Sequence, residues 1–390
     1  MSPQQSSPEG VRKFVCPEVV FGADSRHYAS RCLRNLGANR VFVASDAGVA
    51  AAGWTGEIVE ALAADGLHPC LFNRITSNPR DHEIMAGADL YRSLGCDTIL
   101  AVGGGSVIDC AKGVGIIVSN GGHILDYRGV DRIASPLPPV ACIPTTAGSS
   151  ADVSQFATVR HLAERSTTVI ISGALVPDVA LVDPVTVATM DPLLTAGTGF
   201  DALAHAIEAF VSTGSSAMTD IHALQAVVLL RTHLLDSIEH PDDTAARSGV
   251  MLGSLEAGLA FSNASLGAVH AMAHGVGGLL DLPHGQCCAM LLPHVVAYNY
   301  DAVPERFRVL AESLGLDLRG MASPEIRNAL IAEIARLRIA TGIRATLGGS
   351  GLERADIPAL ARRAMEDPCI VTNPRRPVQQ DVEVIYQEAM

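Results

Sequence analysis

In the segment GFDALAHAIEAF (199–210), Asp201, His205 and Glu208 fall at i, i+4 and i+7, so a helix there carries all three on one face. Leu203, Ile207 and Phe210 fall on the other. Two ligands four residues apart can chelate one ion, but taken alone this segment reads as an amphipathic helix with a solvated polar stripe. The next segment changes that reading. In LGAVHAMAHGVGGLL (266–280) the only polar side chains are His270 and His274, on one helical face. With no polar stripe to place in water, these imidazoles are expected to be buried, and buried polar groups need partners. His284 sits in ProHisGly (283–285), a turn that presents its ring in a fixed direction. Asp201, His205, His270 and His284 together offer three imidazoles and a carboxylate, a donor set that suits Fe(II) or Zn(II).

A second constellation lies earlier in the chain. The apolar run TILAV (98–102) leads into Gly103, Gly104, Gly105, Ser106 and then Asp109, a strand entering a glycine turn that opens a helix. Such a turn aims backbone N–H groups at a phosphate, and the helix N-terminus adds a favourable dipole. The bland alternative is a tight connection, since this is not a G-x-G-x-x-G fingerprint. Asp46 ends the apolar run 41–45, where a carboxylate can accept from ribose hydroxyls and would repel a 2′-phosphate. That favours NAD over NADP. A capping Asp is the competing reading.

The elements that must hold these groups follow two rhythms. Up to residue 182, short apolar runs at 41–45, 69–72, 98–102, 140–143 and 179–182 alternate with helix-period stretches at 54–64 and 82–93, the pattern of a parallel sheet with crossover helices. Beyond Asp183 the strand-like runs thin out, and segments rich in Ala, Leu, Glu and Arg follow one another. The expected fold class is therefore an α/β N-terminal dinucleotide-binding domain, 1–187, a parallel sheet with flanking helices, plus an all-α C-terminal metal-binding and substrate domain, 188–390.

Composition narrows the function. A chain of 390 residues with 48% hydrophobic and 18% charged residues is enzyme-sized and globular, not disordered. The 28 basic residues against 41 acidic give a formal net charge of −13, so a nucleic acid would meet a repulsive field. Only Lys13 and Lys112 are lysines. Nine scattered cysteines without a C-x-x-C pair point to a reducing compartment, and adjacent Cys287 and Cys288 read as small packing residues. MSPQQSSPEG at the N-terminus lacks the features of a secretory signal, and no window is apolar for the ~18 residues that a membrane span requires, so a cytoplasmic chain is expected.

With these residues in place, the chain resembles the iron-containing (group III) alcohol dehydrogenase family, relatives of glycerol dehydrogenase and dehydroquinate synthase. The resemblance runs from FVCPEVVFG (14–22) through GGGSVIDCAK (103–112), PTTAG (144–148), PDVALVDP (177–184), GFDALAHAIEAF and HAMAHGVGGLLDLPHG (270–285) to DPCIVTNPR (367–375). It implies a dehydroquinate synthase-like fold, with Asp201, His205, His270 and His284 on the metal and His274 beside the nicotinamide as a catalytic group. It also implies Gly104, Gly105, Ser106 and Asp109 around the pyrophosphate, Thr145 and Thr146 in the cofactor groove, and Asp46 at the adenosine ribose. Phe261 and Cys369 fall at substrate-pocket positions. Two stretches depart from the family pattern: Ser149, Ser150, Ala151 and Asp152 replace Thr-Gly-Ser-Glu, and Thr167 stands nearest a lysine that many relatives carry, with Arg165 a potential substitute.

The implied activity is reversible hydride transfer between NAD and a small primary alcohol, assisted by a metal acting as Lewis acid. An apolar neighbourhood of Phe261, Leu266 and Val269 fits an uncharged substrate. A dehydroquinate-synthase-like lyase needs several cations, and two lysines argue against it. A zinc polyol (glycerol-type) dehydrogenase and a non-catalytic NAD-binding regulatory paralogue remain the alternatives, with iron favoured over zinc because His270 and His284 are both present. The resemblance further implies a homodimer or higher homo-oligomer.

Overall fold

The computed structural model describes residues 13–390; the leader reading of residues 1–10 lies outside them. Nine strands, β1 (Glu18–Phe21), β2 (Arg40–Asp46), β3 (His68–Ile75), β4 (Thr98–Gly103), β5 (Gly129–Val130), β6 (Val140–Pro144), β7 (Phe156–His161), β8 (Ser166–Ile171) and β9 (Val179–Val182), precede residue 183. Six of them form one sheet in the order β1-β9-β6-β4-β2-β3, all neighbours parallel. Five helices accompany them: α1 (Ala29–Asn35), α2 (Ala47–Ala51), α3 (Trp54–Ala64), α4 (Asp81–Leu94) and α5 (Gly105–Asn120).

Helices cover both faces, which is why β4 and β6 are apolar without alternation. Ile99 and Ala101 of β4 pack with α4 and α5, whereas Leu100 and Val102 pack with α1 and α3. From β2 the chain moves outward to β3, and from β4 it moves outward the other way to β6. The order therefore reverses between β2 and β4, and a crevice opens outside their carboxyl ends. Asp46, the glycine turn and Thr145–Thr146 all lie on that rim.

Two features were not legible as strands. Short β1 adds to the sheet edge beside β9, and β7 with β8 forms an antiparallel hairpin joined by parallel β5. The apolar alternation of the hairpin is broken by Arg160, His161, Glu164 and Arg165 around its turn.

Beyond the 3-10 turn at Thr186–Thr189 the regular elements are all helices: α6 (Pro192–Val211), α7 (Ala217–Glu239), α8 (Thr244–Ala264), α9 (Ala268–Leu280), α10 (His284–Asn299), α11 (Pro304–Ser313), α12 (Ser323–Ala340), α13 (Ile357–Glu366) and α14 (Gln379–Glu388). Asp191 starts α6 by accepting from the amides of Leu193 and Leu194, with Pro192 at the first helical position. The halves meet where α9 lies on β8. A Cβ at Gly278 would stand 2.6 Å from the Thr167 nitrogen, so only glycine permits this approach of backbone to backbone. Among the described residues, no helix is long and apolar enough to cross a membrane.

Candidate active site

A cleft of about 960 Å³ runs from the carboxyl rim of the sheet to α6, α9 and α10. Gly104, Gly105, Ser106, Asp109, Thr145 and Thr146 line the rim end together with Asp46; Asp201, His205, Phe261, His270, His274 and His284 line the other. The two constellations share one space.

At the rim, α5 points its N-terminus into the cleft, with Gly104 as its cap residue. A Cβ on Gly105 would lie 2.6 Å from the Ser149 side chain, so glycine keeps a backbone cradle open there. Asp46 uses Oδ1 to accept from the Val49 amide at 2.8 Å, which makes it the cap of α2 as well as a wall of the cleft. Asp109 is buried and accepts from the Thr158 amide and hydroxyl at 3.0 and 2.6 Å. Nearby, Lys112 is fully buried on α5 and donates to the carbonyls of Ser154 and Phe156 at 2.8 and 2.9 Å, fixing the segment that floors the cleft. No lysine or arginine lines the cleft among the described residues.

At the other end, Asp201, His205 and Glu208 do share a face of α6, but that face is buried instead of solvated. The stripe is inside because α9 and α10 cover it with imidazoles and not with water. Asp201 Oδ1 lies 3.5 Å from His270 Nε2 and 3.6 Å from His284 Nε2. Asp201 Oδ1, His205 Nδ1 and His270 Nε2 are buried without a hydrogen-bond partner. Such atoms are rare unless something else satisfies them. His205 stacks face to face on His270 and on Phe261, with ring centroids 4.4 and 4.2 Å away.

Two carboxylates stand behind these groups, Glu208, which the sequence placed on the same helix face, and Asp367, which it did not single out. Glu208 Oε2 accepts from His270 Nδ1 at 2.5 Å, while Oε1 accepts the Val269 amide at 2.7 Å and so satisfies the start of α9. Asp367 Oδ2 accepts from His274 Nδ1 at 2.8 Å, which leaves Nε2 of a neutral His274 as the ring's acceptor. Glu208 shares the i, i+4, i+7 face and was visible there; Asp367 has no local signal. Cys288 is packed in the core, as the packing reading expects, and also touches the site. Its Sγ lies 3.6 Å from His284 Nε2, and donor atoms of Asp201, His270, His284 and Cys288 all lie within 4.8 Å of one another. His205 is not in that closest set.

Three other residues singled out in the sequence lie apart from the cleft lining. Cys369 is fully buried and does not line the cleft; its amide donates to Asp367 Oδ1 at 2.8 Å, so it sits behind the His274–Asp367 pair. Val269 likewise lies behind the wall, whereas Phe261 and Leu266 are on it. Arg165 donates to the Leu279 carbonyl at 2.8 Å at the end of α9 and is absent from the cleft lining. In the departing segment, Ser149 faces the cleft while Ser150 turns inward to the Ser254 carbonyl at 2.6 Å.

Electrostatics match a site built around positive charge. Burial pushes the Asp201 carboxyl up, but His205, His284 and His270 outweigh it and hold it well below the usual carboxylate range. Burial holds His205 down to about 3 against the pull of Asp201, and His284 to about 4. His270 goes the other way: burial lowers it, yet Cys288, Asp201 and Glu208 together raise it well above its ordinary value. Burial pushes the Cys288 thiol up to about 12. A proton on His270 is the counter-charge that two buried carboxylates demand, and a bound cation would replace it.

Comparison with known proteins agrees with this geometry. The family described as "Iron-containing alcohol dehydrogenase" matches residues 16–184, and "Fe-containing alcohol dehydrogenase family, C-terminal" matches residues 195–390. The chain is 35% identical over 379 residues to a 1,3-propanediol dehydrogenase of Klebsiella pneumoniae, covering 96% of this chain and 98% of that one. It is 34% identical over 377 residues to an NAD-dependent methanol dehydrogenase of Bacillus methanolicus, covering 97% and 99%. A crystal structure of a 1,3-propanediol oxidoreductase superposes with a TM-score of 0.94 at 34% identity, covering 98% of this chain and all of that one. Both halves, the helix-flanked parallel sheet and the helical body with its imidazole cluster, therefore place the chain in the iron-containing alcohol dehydrogenase family, oxidoreductases acting on CH–OH groups.

Proposed function

We propose that the protein is an NAD-linked, iron-type dehydrogenase that interconverts a small, uncharged primary alcohol and its aldehyde, with Asp201, His205, His270 and His284 holding the metal. The observation that carries this reading is the convergence of Asp201, His270 and His284 around unpartnered buried donor atoms, in a cleft that continues to the glycine cradle. When bound, a divalent ion supplies Lewis acidity that lowers the pKa of an alcohol, and NAD supplies the hydride acceptor.

The residues of this chain do the positioning. Glu208 fixes the tautomer of His270 so that Nε2 faces Asp201. Asp367 does the same for His274, whose ring lies 5.2 Å from that of His284 and lines the cleft, placed to accept or relay the alcohol proton. Gly104, Gly105 and the α5 N-terminus meet the pyrophosphate through backbone amides, consistent with a cleft that no lysine or arginine lines among the described residues. Asp46 at the far rim favours NAD, since a 2′-phosphate would find a carboxylate and no cation. Phe261 and Leu266 line the substrate end and supply no charge for an anionic substrate. The reading extends to a cytoplasmic setting, supported by nine free thiols, and to a homo-oligomer, supported by family resemblance.

The test is an anaerobic screen of NADH formation over primary alcohols of increasing length and 1,3-propanediol, with chelated protein reloaded with Fe(II) or Zn(II). NADH formation that requires metal is expected, fastest with Fe(II). Metal-loaded protein that binds NAD yet turns over none of these alcohols would favour the regulatory paralogue.

A further inference from the structure

Three helices meet at the candidate metal centre: α6 brings Asp201 and His205, α9 brings His270, and α10 brings His284 and, four residues on, Cys288. We propose that Cys288 is a sulfur donor to the metal, joining Asp201, His270 and His284 in a mixed nitrogen, oxygen and sulfur set. This rests on the metal-site reading above and deepens it.

The spacing supports the assignment. Around one ion with metal–ligand distances of about 2.0–2.3 Å, neighbouring donor atoms stand about 3–4 Å apart. Asp201 Oδ1 to His270 Nε2 is 3.5 Å, Asp201 Oδ1 to His284 Nε2 is 3.6 Å, and Cys288 Sγ to His284 Nε2 is 3.6 Å. All four donors lie within 4.8 Å of one another, and Asp201 Oδ1 and His270 Nε2 are buried and unpartnered at the same point. Cys288 is fully buried, and its sulfur lies within reach of the His284 ring and not in solvent. Charge agrees too: one carboxylate and one thiolate neutralise a divalent cation. On binding, the S–H bond breaks, its electron pair forms the sulfur–metal bond, and the proton leaves to solvent. His205, stacked on His270 with Nδ1 buried and unpartnered, keeps its place as a donor, so the sulfur adds to the four ligands and replaces none. A sulfur donor biases the centre toward Zn(II), Co(II) and Fe(II) and away from Mn(II) and Mg(II).

X-ray absorption of the full-length, zinc-loaded protein is the direct test, and it needs no variant. One sulfur scatterer at about 2.3 Å beside nitrogen and oxygen at about 2.0–2.1 Å is expected. In the cobalt-loaded protein, a near-ultraviolet sulfur-to-cobalt charge-transfer band should be present, be lost in Cys288→Ser and persist in Cys287→Ala. Cadmium affinity should fall about tenfold or more in Cys288→Ser while manganese affinity stays level. Stoichiometric metal with only nitrogen and oxygen neighbours overturns the sulfur donor but leaves the metal centre standing. Failure to retain stoichiometric metal overturns both.

Discussion

Glu208 grips the α9 helix twice, accepting from the ring of His270 at 2.5 Å and from the amide of Val269 at 2.7 Å. One carboxylate thereby sets both the entry of the helix and the tautomer of the imidazole it carries. Glu208→Gln keeps the shape but offers an amide in place of an anion. Metal affinity should drop about 10- to 100-fold, read by competition with a chromophoric chelator. An unchanged affinity would mean that packing alone orients His270.

The pairing of His274 with Asp367 predicts a different signature. His274→Ala and Asp367→Asn should lower kcat about a hundredfold while metal content, measured by plasma mass spectrometry, remains stoichiometric. Loss of metal in either variant would assign the pair to the centre itself.

Gly105 tests the cradle. Valine there must displace the Ser149 side chain, which lies 2.6 Å from where a Cβ would stand, and it intrudes on the space that backbone amides require. NADH binding, followed by fluorescence titration, should weaken about tenfold or more, with metal content intact. Equal affinity would place the pyrophosphate elsewhere.

Asp46→Ser should narrow the preference for NAD over NADP by removing the charge that repels a 2′-phosphate. Serine can still cap α2, so the cost in stability should stay within about 1 kcal/mol. The ratio of kcat/KM for the two cofactors is the measurement, and an unchanged ratio would leave Asp46 as a cap alone.

Asp152 makes a pH-dependent contribution to stability. Burial raises its carboxyl to about 6, above the ordinary 3.8, although Lys112 pulls it down. The folded state therefore holds its proton more tightly than the unfolded chain does. The associated stability is complete below the ordinary value and is lost as pH rises through about 6. Asp152→Asn should thus gain on the native protein between those limits, by about 1–3 kcal/mol in urea unfolding. A difference that does not vary with pH would show that Asp152 is already ionised in the fold.

How much of this could be read in advance follows from what each residue contrasts with. His270 and His274 stood out because everything around them is apolar, and Asp201 with His205 because four residues return a helix to the same face. β4 and β6 were legible as uninterrupted apolar runs. The hairpin was not, since charged residues at its turn mask the alternation that pairing later exposes. Cys288 looks like any small packing residue until α10 brings it beside His284. Asp367 is 93 residues from the ring it holds, a separation that only the folded chain closes. Cys369 is fully buried behind the His274–Asp367 pair, a depth that its neighbours in sequence do not disclose.

The contact of Gly278 with β8 has a mechanical consequence. The helix that bears His270 and His274 lies against a strand with no room even for a methyl group. Any side chain at 278 would have to push that helix off β8 and carry both imidazoles with it. The distance of the two rings from the carboxylates of α6 is therefore set, in part, by a hydrogen atom at the far end of their own helix.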